Sequence, residues 1–420
     1  MNSLLELTEM AAIEGRKPRV LFVSNLFPDA GSAYLGLDNA ALLHELSIFF
    51  DISVLSPRPS LNPKSWFDSS SARLSPRKVD ERLSPSFAQV PYVPFLGTPG
   101  NYLLMRMFLS KRVGRIVKEV GIDAIVCSWL YPDGCAMAAI ARKLDVPIIL
   151  ITQGTDTHHY IHFPLRKKYI LAALEQSCAV ICRSAALGLL LEQAGADAEK
   201  IYPVYNGVDQ TIFYPRDRAQ CRTALELDHD ETIFVFVGNF LPVKNPEFLL
   251  RAFSSTASGN KSLLVMVGRG PMRPALEKLC VRLGISERVR FTGSLSSQEV
   301  STWMGAADCL CLCSHNEGLP NVIIEAIASG LPVISTDVGG IKELLGADDR
   351  GVLVDPGDME GYAEALTRFI TGWQPSTESL LDAGLSWPEC AQKHALIIRE
   401  TMVKKMARGE GRVCSLPELK

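Results

Sequence analysis

The sequence predicts an α/β protein of two doubly wound domains set side by side with a cleft between them. Three observations lead there. The chain has 420 residues, 47% of them apolar, which is enough for a full core and more than one ordinary domain needs. Short apolar runs alternate with segments of helical spacing, as in a parallel sheet wrapped by helices. The alternation breaks at a turn-rich stretch and then restarts.

After a polar leader over 1–17, Arg19–Ser24 reads as a buried first strand, ended by the turn-forming stretch 25–36. Asp38–Phe49 has apolar residues at helical spacing, and Asp51–Leu55 is strand-like again. Pro, Ser and Arg accumulate from Ser56 to Gly100, which predicts an irregular excursion. A helix follows over Asn101–Val120. Then come strand Ala124–Cys127, helix Gly134–Leu144, strand Pro147–Ile151, helix Leu165–Gln176 and strand Val180–Cys182.

Tyr202–Pro215 holds an Asn-Gly turn and two prolines and reads as the junction, so the domains are expected over 18–206 and 207–385. The second series opens at Thr232 and runs through a helix from Pro246, strand Ser262–Val267 and a helix from Pro271. Strand Val289–Phe291, a helix near Ser297, strand Cys309–Cys313, a helix from Asn321 and strand Pro332–Ser335 follow. A last helix, Cys390–Met406, lies in a segment over 386–420 that ends in a tail expected to be disordered. In doubly wound sheets a ligand sits at the carboxyl ends of the strands, so function is expected in the cleft.

A formal net charge of −3 with mixed signs gives no basic field for nucleic acid, and none is expected as a partner. Eleven scattered cysteines without C-x-x-C spacing fit a reducing cytoplasm. Cys309, Cys311 and Cys313 alternate on one strand face, but no nearby His or Cys pair completes a ligand set, so they read as small core groups and no metal is expected. The N-terminus lacks the basic start and apolar run of a signal peptide, and no 18-residue uncharged apolar stretch occurs. The expected location is cytoplasmic, with any membrane contact peripheral.

HNEGLPNVIIEAIASG, His315–Gly330, is the most informative stretch. It places Glu317 in a strand-to-helix loop and Glu325 on the helix, on a shared face if the helix begins near Pro320. Gly318 permits close backbone approach. The N–H groups of Leu319, Pro320's neighbour Asn321, and Val322 lie at the positive helix end, where a diphosphate would fit. The plainer reading makes Glu317 a partner for the helix dipole and Glu325 a solvated carboxylate. A glutamate inside VIIEAIA, however, needs a partner to justify burial, and this favours the functional reading.

VGNFLPVKN, Val237–Asn245, ends a strand in Gly238 and carries Lys244, a point charge suited to phosphate, although strand ends and helix starts commonly carry such residues. VGRGP, with Gly268 and Gly270, either receives a base or ribose or forms a tight turn.

Taken together, FVGNFLPVKN, VGRGP, FTGSLSSQEV and EGLPNVIIEAIASGLPVISTDVGGIKE resemble the GT-B glycosyltransferases of family 4. QGTD at Gln153–Asp156, Ser184, and NGVD at Asn206–Asp209 with Phe213 and Pro215 sit in that family's positions. The resemblance spans roughly 18–371. It implies the GT-B fold and a retaining, metal-independent transfer of sugar from a nucleotide-sugar donor, without a cofactor and with no enzymic nucleophile assigned. Glu317 would stabilise positive charge at the anomeric carbon, Glu325 would bind ribose hydroxyls, and Lys244 would neutralise the departing diphosphate.

Two departures matter. Asn239 replaces the family's usual arginine, removing a bidentate phosphate partner, and Gln153 replaces a frequent histidine. The VGN variant resembles the teichuronic-acid and exopolysaccharide branch, which implies a glycan or lipid-linked acceptor, cell-surface polysaccharide synthesis and, by family frequency, UDP as the carrier. From the first domain, Gly36, Gln153, Asp156 and His158 are candidate contacts to donor or acceptor, with a merely polar loop as the other reading for His158 and His159. The basic, amphipathic segment 101–120 either rests on an anionic membrane or packs on the core with a solvated basic face. An epimerase on the same fold and a degenerate nucleotide-sugar-binding partner are the competing functions.

Overall fold

A computed structural model of the protein describes residues 16–29, 31, 35–61, 83, 85–94, 99–256, 261–346, 351–373 and 384–410. The leader up to residue 15, the middle of the predicted excursion (62–82) and the tail from 411 lie outside the described residues. The chain divides into two compact units, one running to Tyr205 and resuming at Trp387, the other spanning Asn206–Ser386.

The first unit contains strands β1 (Arg19–Val23), β2 (Asp51–Ser60), β3 (Pro85–Pro91), β4 (Ala124–Ser128), β5 (Ile148–Ile151), β6 (Ala179–Cys182) and β7 (Ile201–Pro203). Between them run helices α1 (Leu37–Leu46), α2 (Asn101–Ile116), α3 (Cys135–Leu144), α4 (Thr155–His158), α5 (Pro164–Gln176) and α6 (Ala185–Ala194). The strands form one parallel sheet in the order β3-β2-β1-β4-β5-β6-β7.

Its two faces bury alternate residues. Leu21 and Val23 face α2 and α3 through Met105, Leu109 and Ile140, whereas Val20 and Phe22 face α1 through Leu42 and Leu46. Burial on both faces explains the unbroken apolar runs in the sequence.

The second unit contains β8 (Thr232–Val237), β9 (Ser262–Val267), β10 (Val289–Gly293), β11 (Cys309–Leu312), β12 (Val333–Thr336) and β13 (Gly351–Val354). Its helices are α7 (Arg218–Ala224), α8 (Pro246–Ser255), α9 (Arg273–Leu283), α10 (Ser297–Ala306), α11 (Asn321–Ala328), α12 (Ile341–Leu345) and α13 (Met359–Ile370). The order is β10-β9-β8-β11-β12-β13, again parallel throughout. Cys309, Cys311 and Cys313 all sit in the core on one face of this sheet with Phe234, Phe248 and Tyr362.

The chain then returns to the first unit as α14 (Trp387–Glu410), which lays Cys390, Ala391, Ala395, Ile398 and Met402 against the α1 side of the first sheet. Among the described residues no helix is long and apolar enough to cross a membrane.

The structure corrects three expectations. The stretch 56–100 is not irregular throughout, because β2 continues to Ser60 and β3 pairs beside it. Pro57 and Pro59 concealed this. The Leu55 carbonyl accepts from Ser24 N–H on the β1 side (3.3 Å), so by alternation both prolines turn their nitrogens that way, past the end of β1 where no ladder bond is lost. Ser60, of the opposite parity, accepts from Tyr92 N–H at 3.2 Å and carries the pairing to β3. The helix expected over 101–120 is regular only to Ile116 and closes with a wider turn over Val117–Gly121. The expected junction at Tyr202 begins inside β7, the last strand of the first sheet.

The tie between α14 and the first unit is testable at Ile398, which is fully buried. Ile398→Ala should lower unfolding free energy by about 2–4 kcal/mol through lost burial and a residual cavity, read by chemical denaturation.

Candidate active site

In both sheets the strand order reverses once, between β1 and β4 in the first and between β8 and β11 in the second. Loops leaving the carboxyl ends of such a strand pair turn to opposite faces and open a crevice between them. In the second unit, the loop after β8 carries Lys244 and the loop after β11 carries Glu317. The crevice brings them together, with Lys244 Nζ 2.5 Å from Glu317 Oε1. The buried Ser314 hydroxyl donates to the same oxygen at 2.6 Å. Among the described residues no group bonds Oε2, so one carboxylate oxygen is anchored and the other is left for a ligand.

Backbone contacts hold the two loops in register. His315 N–H donates to the Val243 carbonyl at 2.8 Å, and the Cys313 thiol donates to the Asn245 carbonyl at 3.0 Å. Gly340 N–H donates to the Gly318 carbonyl at 2.8 Å. Gly339, at φ +59°, packs so tightly on this loop that a Cβ there would lie 1.9 Å from the Glu317 carbonyl oxygen.

Glu317, Gly318 and Leu319 are half-buried, Pro320 is buried and Asn321 is exposed. Pro320 caps α11 without a side-chain hydrogen bond, and among the described residues the N–H groups of Asn321 and Val322 meet no protein acceptor. This free helix end lies three residues beyond the carboxylate. The Asn206 amide donates to Asn321 Oδ1 at 2.7 Å and pins the first turn of α11. Sequence reading placed Asn206 in a motif but gave it no such partner.

Glu325 lies one turn into α11, half-buried, with no hydrogen bond or ion pair among the described residues. Burial alone pushes its carboxyl up to about 7. An unpartnered carboxylate in this position suits a ligand hydroxyl donor.

Asn239 is exposed, and among the described residues its side chain makes no hydrogen bond. Gly268 and Gly270 form the tight-turn alternative left open by the sequence. Gly268 sits at φ +141°, where a Cβ would lie 1.9 Å from the Gly238 carbonyl oxygen, and one at Gly270 would lie 2.4 Å from that of Phe240. Gly238 N–H donates to the Val267 carbonyl (3.0 Å) and Phe240 N–H to that of Arg269 (2.8 Å). The two glycine-bearing loops are thus packed backbone to backbone, which fixes the path that carries Lys244.

The first-unit candidates lie in the connections that follow β1 and β5. Gly36 caps α1 in the left-handed region, against the Leu26 carbonyl. The Gln153 amide satisfies its neighbours with its nitrogen facing Asp38 Oδ2 (3.1 Å) and its oxygen facing Ser128 Oγ (2.5 Å) and Arg183 Nη2 (3.2 Å). His158 is half-buried at the end of α4.

Asp156 differs from expectation, for it is fully buried. Oδ1 accepts from Gln153 and Gly154 N–H and Oδ2 from Leu130 N–H, each at 2.9 Å. Burial raises its carboxyl pKa against the pull of these donors. Both Asp156 oxygens are engaged by backbone N–H groups within a fully buried side chain, so its evident work is to hold the loop.

Sequence reading missed a second polar group at the β1/β4 reversal. Asp133, fully buried, accepts from Asn25 N–H at 2.6 Å through Oδ2, while Oδ1 has no partner among the described residues. Desolvation pushes its carboxyl up to about 7, opposed by Asn25 N–H and by Arg58, which is itself paired with Asp29 at 2.8 Å. Next to it, Trp129 is held at φ +95°, a strained conformation for a side chain of its size. These groups come from three distant segments, and no local motif announces them. Among the described residues, no cluster of three or more His, Cys, Asp or Glu side chains is placed to hold a metal ion.

Two doubly wound sheets with a Lys–Glu pair at the second reversal fit the GT-B class of fold, and comparison with known proteins shows the family. Residues 217–383 match the family model for glycosyl transferases group 1, and residues 65–211 match that for glycosyltransferase family 4. The chain is 32% identical over 304 residues to a D-inositol 3-phosphate glycosyltransferase of Thermomonospora curvata, covering 68% of this chain and 67% of that protein. It is 27% identical over 365 residues to the putative teichuronic acid biosynthesis glycosyltransferase TuaC of Bacillus subtilis, covering 84% and 89%.

Among solved structures, sucrose-phosphate synthase of Thermosynechococcus elongatus aligns with TM-score 0.72 at 19% identity over 93% of this chain and all of that one. Anabaena HepE in complex with UDP aligns with TM-score 0.64 at 19% identity, over 94% and 99%. The chain belongs to the group 1, family 4 glycosyltransferases, and it is a glycosyltransferase of GT-B fold.

The buried Glu325 carboxyl gives a prediction with a definite sign. Its folded pKa, about 7, lies above the ordinary carboxylate value, so the folded state holds the proton more tightly and stability falls as pH rises towards 7. Glu325→Gln should therefore raise the melting temperature at pH 8 and leave it nearly unchanged near pH 4, as read by thermal unfolding across pH.

Proposed function

We propose that the protein transfers a sugar, with retention and without a metal, from a UDP-sugar to a glycan or lipid-linked acceptor in cell-surface polysaccharide synthesis. The observation that carries the proposal is the Lys244–Glu317 pair at the β8/β11 reversal, three residues from an uncapped helix end. When the bond from the anomeric carbon to the diphosphate breaks, negative charge collects on the diphosphate and positive charge on the sugar ring. Lys244 and the N–H groups of Asn321 and Val322 answer the first, and the free oxygen of Glu317 answers the second. Asn239 adds no cation, so Lys244 takes the larger share of the diphosphate charge. Glu325 accepts from ribose hydroxyls, and Gly238, Gly268 and Gly270 keep the adjoining loops closely packed.

UDP as the carrier is supported by Anabaena HepE, whose structures hold UDP and UDP-glucose. The polysaccharide setting is supported by the TuaC relative over most of both chains. A cytoplasmic enzyme touching the inner membrane face through 101–120 fits exposed Leu103 and Met107 beside exposed Arg106, Lys111, Arg115 and Lys118.

A thermal-shift screen against UDP-, GDP-, ADP- and dTDP-sugars in EDTA should give a response to the UDP-sugars. Loss of that response when EDTA is added would sink the metal-free reading, and no response to any nucleotide would favour a degenerate binding partner. In turnover assays Glu317→Gln should reduce kcat by about 100-fold or more with donor binding largely kept. Unchanged turnover would refute the role. Nucleotide affinity should weaken as pH falls through about 7, since ribose hydroxyls bond the ionised Glu325 best, and Glu325→Gln should flatten that dependence.

A further inference from the structure

A surface groove on the first unit, of about 720 Å³, is lined by Tyr92, Pro94, Pro99, Phe163, Leu165 and Arg166. Its apolar residues are conspicuously solvent-facing, with Phe163 42% and Leu165 54% exposed. Water-facing apolar surface collected in a concavity is costly unless something covers it.

Among the described residues Arg166 is the one charged group in the wall, and its guanidinium lies over three rings, 4.4 Å from the centroid of Tyr160, 4.8 Å from Phe163 and 5.6 Å from Tyr131. Among the described residues no carboxylate pairs with it and no acceptor takes its N–H groups. The rings fix the cation in place but supply no counter-charge.

The surrounding segments share that imbalance. Residues 85–94 and 159–168, which supply most of the lining, contain no Asp or Glu, yet they carry Arg166, Lys167 and Lys168 in a chain whose formal net charge is −3. The groove is also joined to the β1/β4 reversal through its rings. Tyr160 packs edge-on against both Trp129 (6.1 Å) and Tyr131 (6.2 Å), which leave the carboxyl end of β4.

We propose that this groove binds the acceptor, and that the acceptor is an amphiphile in which a phosphate adjoins an apolar alkyl or prenyl chain. The chain lies along Tyr92, Pro94, Pro99, Phe163 and Leu165, and the phosphate meets Arg166. The inference deepens the proposed transfer reaction and rests on it. A neutral glycolipid would leave Arg166 without its counter-charge, and a free phosphate would leave the apolar walls bare.

Titration calorimetry on the full chain with dodecyl phosphate, dodecyl maltoside and inorganic phosphate tests the proposal. Dodecyl phosphate should bind best and inorganic phosphate not measurably. Leu165→Asp, at an exposed position that spares the core, should weaken dodecyl phosphate by about tenfold or more. Arg166→Gln should remove the preference over dodecyl maltoside.

Equal binding of the two dodecyl compounds to the native protein, or no effect of Leu165→Asp, would overturn the proposal. So would binding to phosphatidylglycerol vesicles, weakened by Met107→Asp, without binding of dodecyl phosphate, since that outcome describes a flat membrane contact. The UDP-sugar thermal shift, measured on the same variants, separates the two readings. A lost amphiphile site with an intact nucleotide response defeats only the groove, whereas a native protein that binds dodecyl phosphate but no nucleotide defeats only the transfer reaction.

Discussion

Strand order in a parallel sheet is constrained by right-handed crossovers, and a chain that winds first one way and then the other must leave one pair of neighbouring strands whose following loops part company. In the second sheet that pair is β8 and β11, and every feature of the candidate site depends on it. Lys244 and Glu317 are 73 positions apart and meet because each lies in the first loop beyond one of these strands. The free end of α11 points into the crevice for the same reason, since α11 is the helix that follows β11. The first sheet obeys the same constraint, and its own reversal gathers Asn25, Trp129 and Asp133.

The crevice could be lost to loose loops, and the packing around it prevents that. Gly268 and Gly339 let one backbone lie directly on another, at separations no side chain would permit. Glycine is often taken for a sign of direct ligand approach, but at these two positions its first task is mutual support between loops. Asp156 performs the corresponding task in the first unit by tying three backbone N–H groups to one carboxylate. Precision at Glu317 and Lys244 is thus a property of residues that need never touch a substrate.

Much of this was legible in the sequence wherever the information was local. The strands buried on both faces announced themselves as apolar runs, and Glu317, Glu325 and Lys244 stood in stretches whose spacing could be read directly. Three kinds of information were not local. β3 and the end of β2 were hidden by prolines that are harmless only because β1 has already ended beside them, a fact of register and not of composition. Asp156 looked like a ligand contact because a sequence shows that a carboxylate is present but not how many of its lone pairs the backbone has taken. Asp133, Asn25 and Arg58 form a group only after three segments converge, so no window of sequence contains them together.

The chain enters the second unit at Asn206 and leaves it at Ser386, and these two passages run side by side, bridged at Val208 and Ser386 with Val208 N–H donating to the Leu385 carbonyl at 2.8 Å. In topological terms the second unit is an insert carried between two parts of the first, with its ends already adjacent. Such a cassette can be exchanged for another of the same kind without rerouting the host chain. Chimaeric chains joined at these two positions are therefore the natural route to combining one insert with another host.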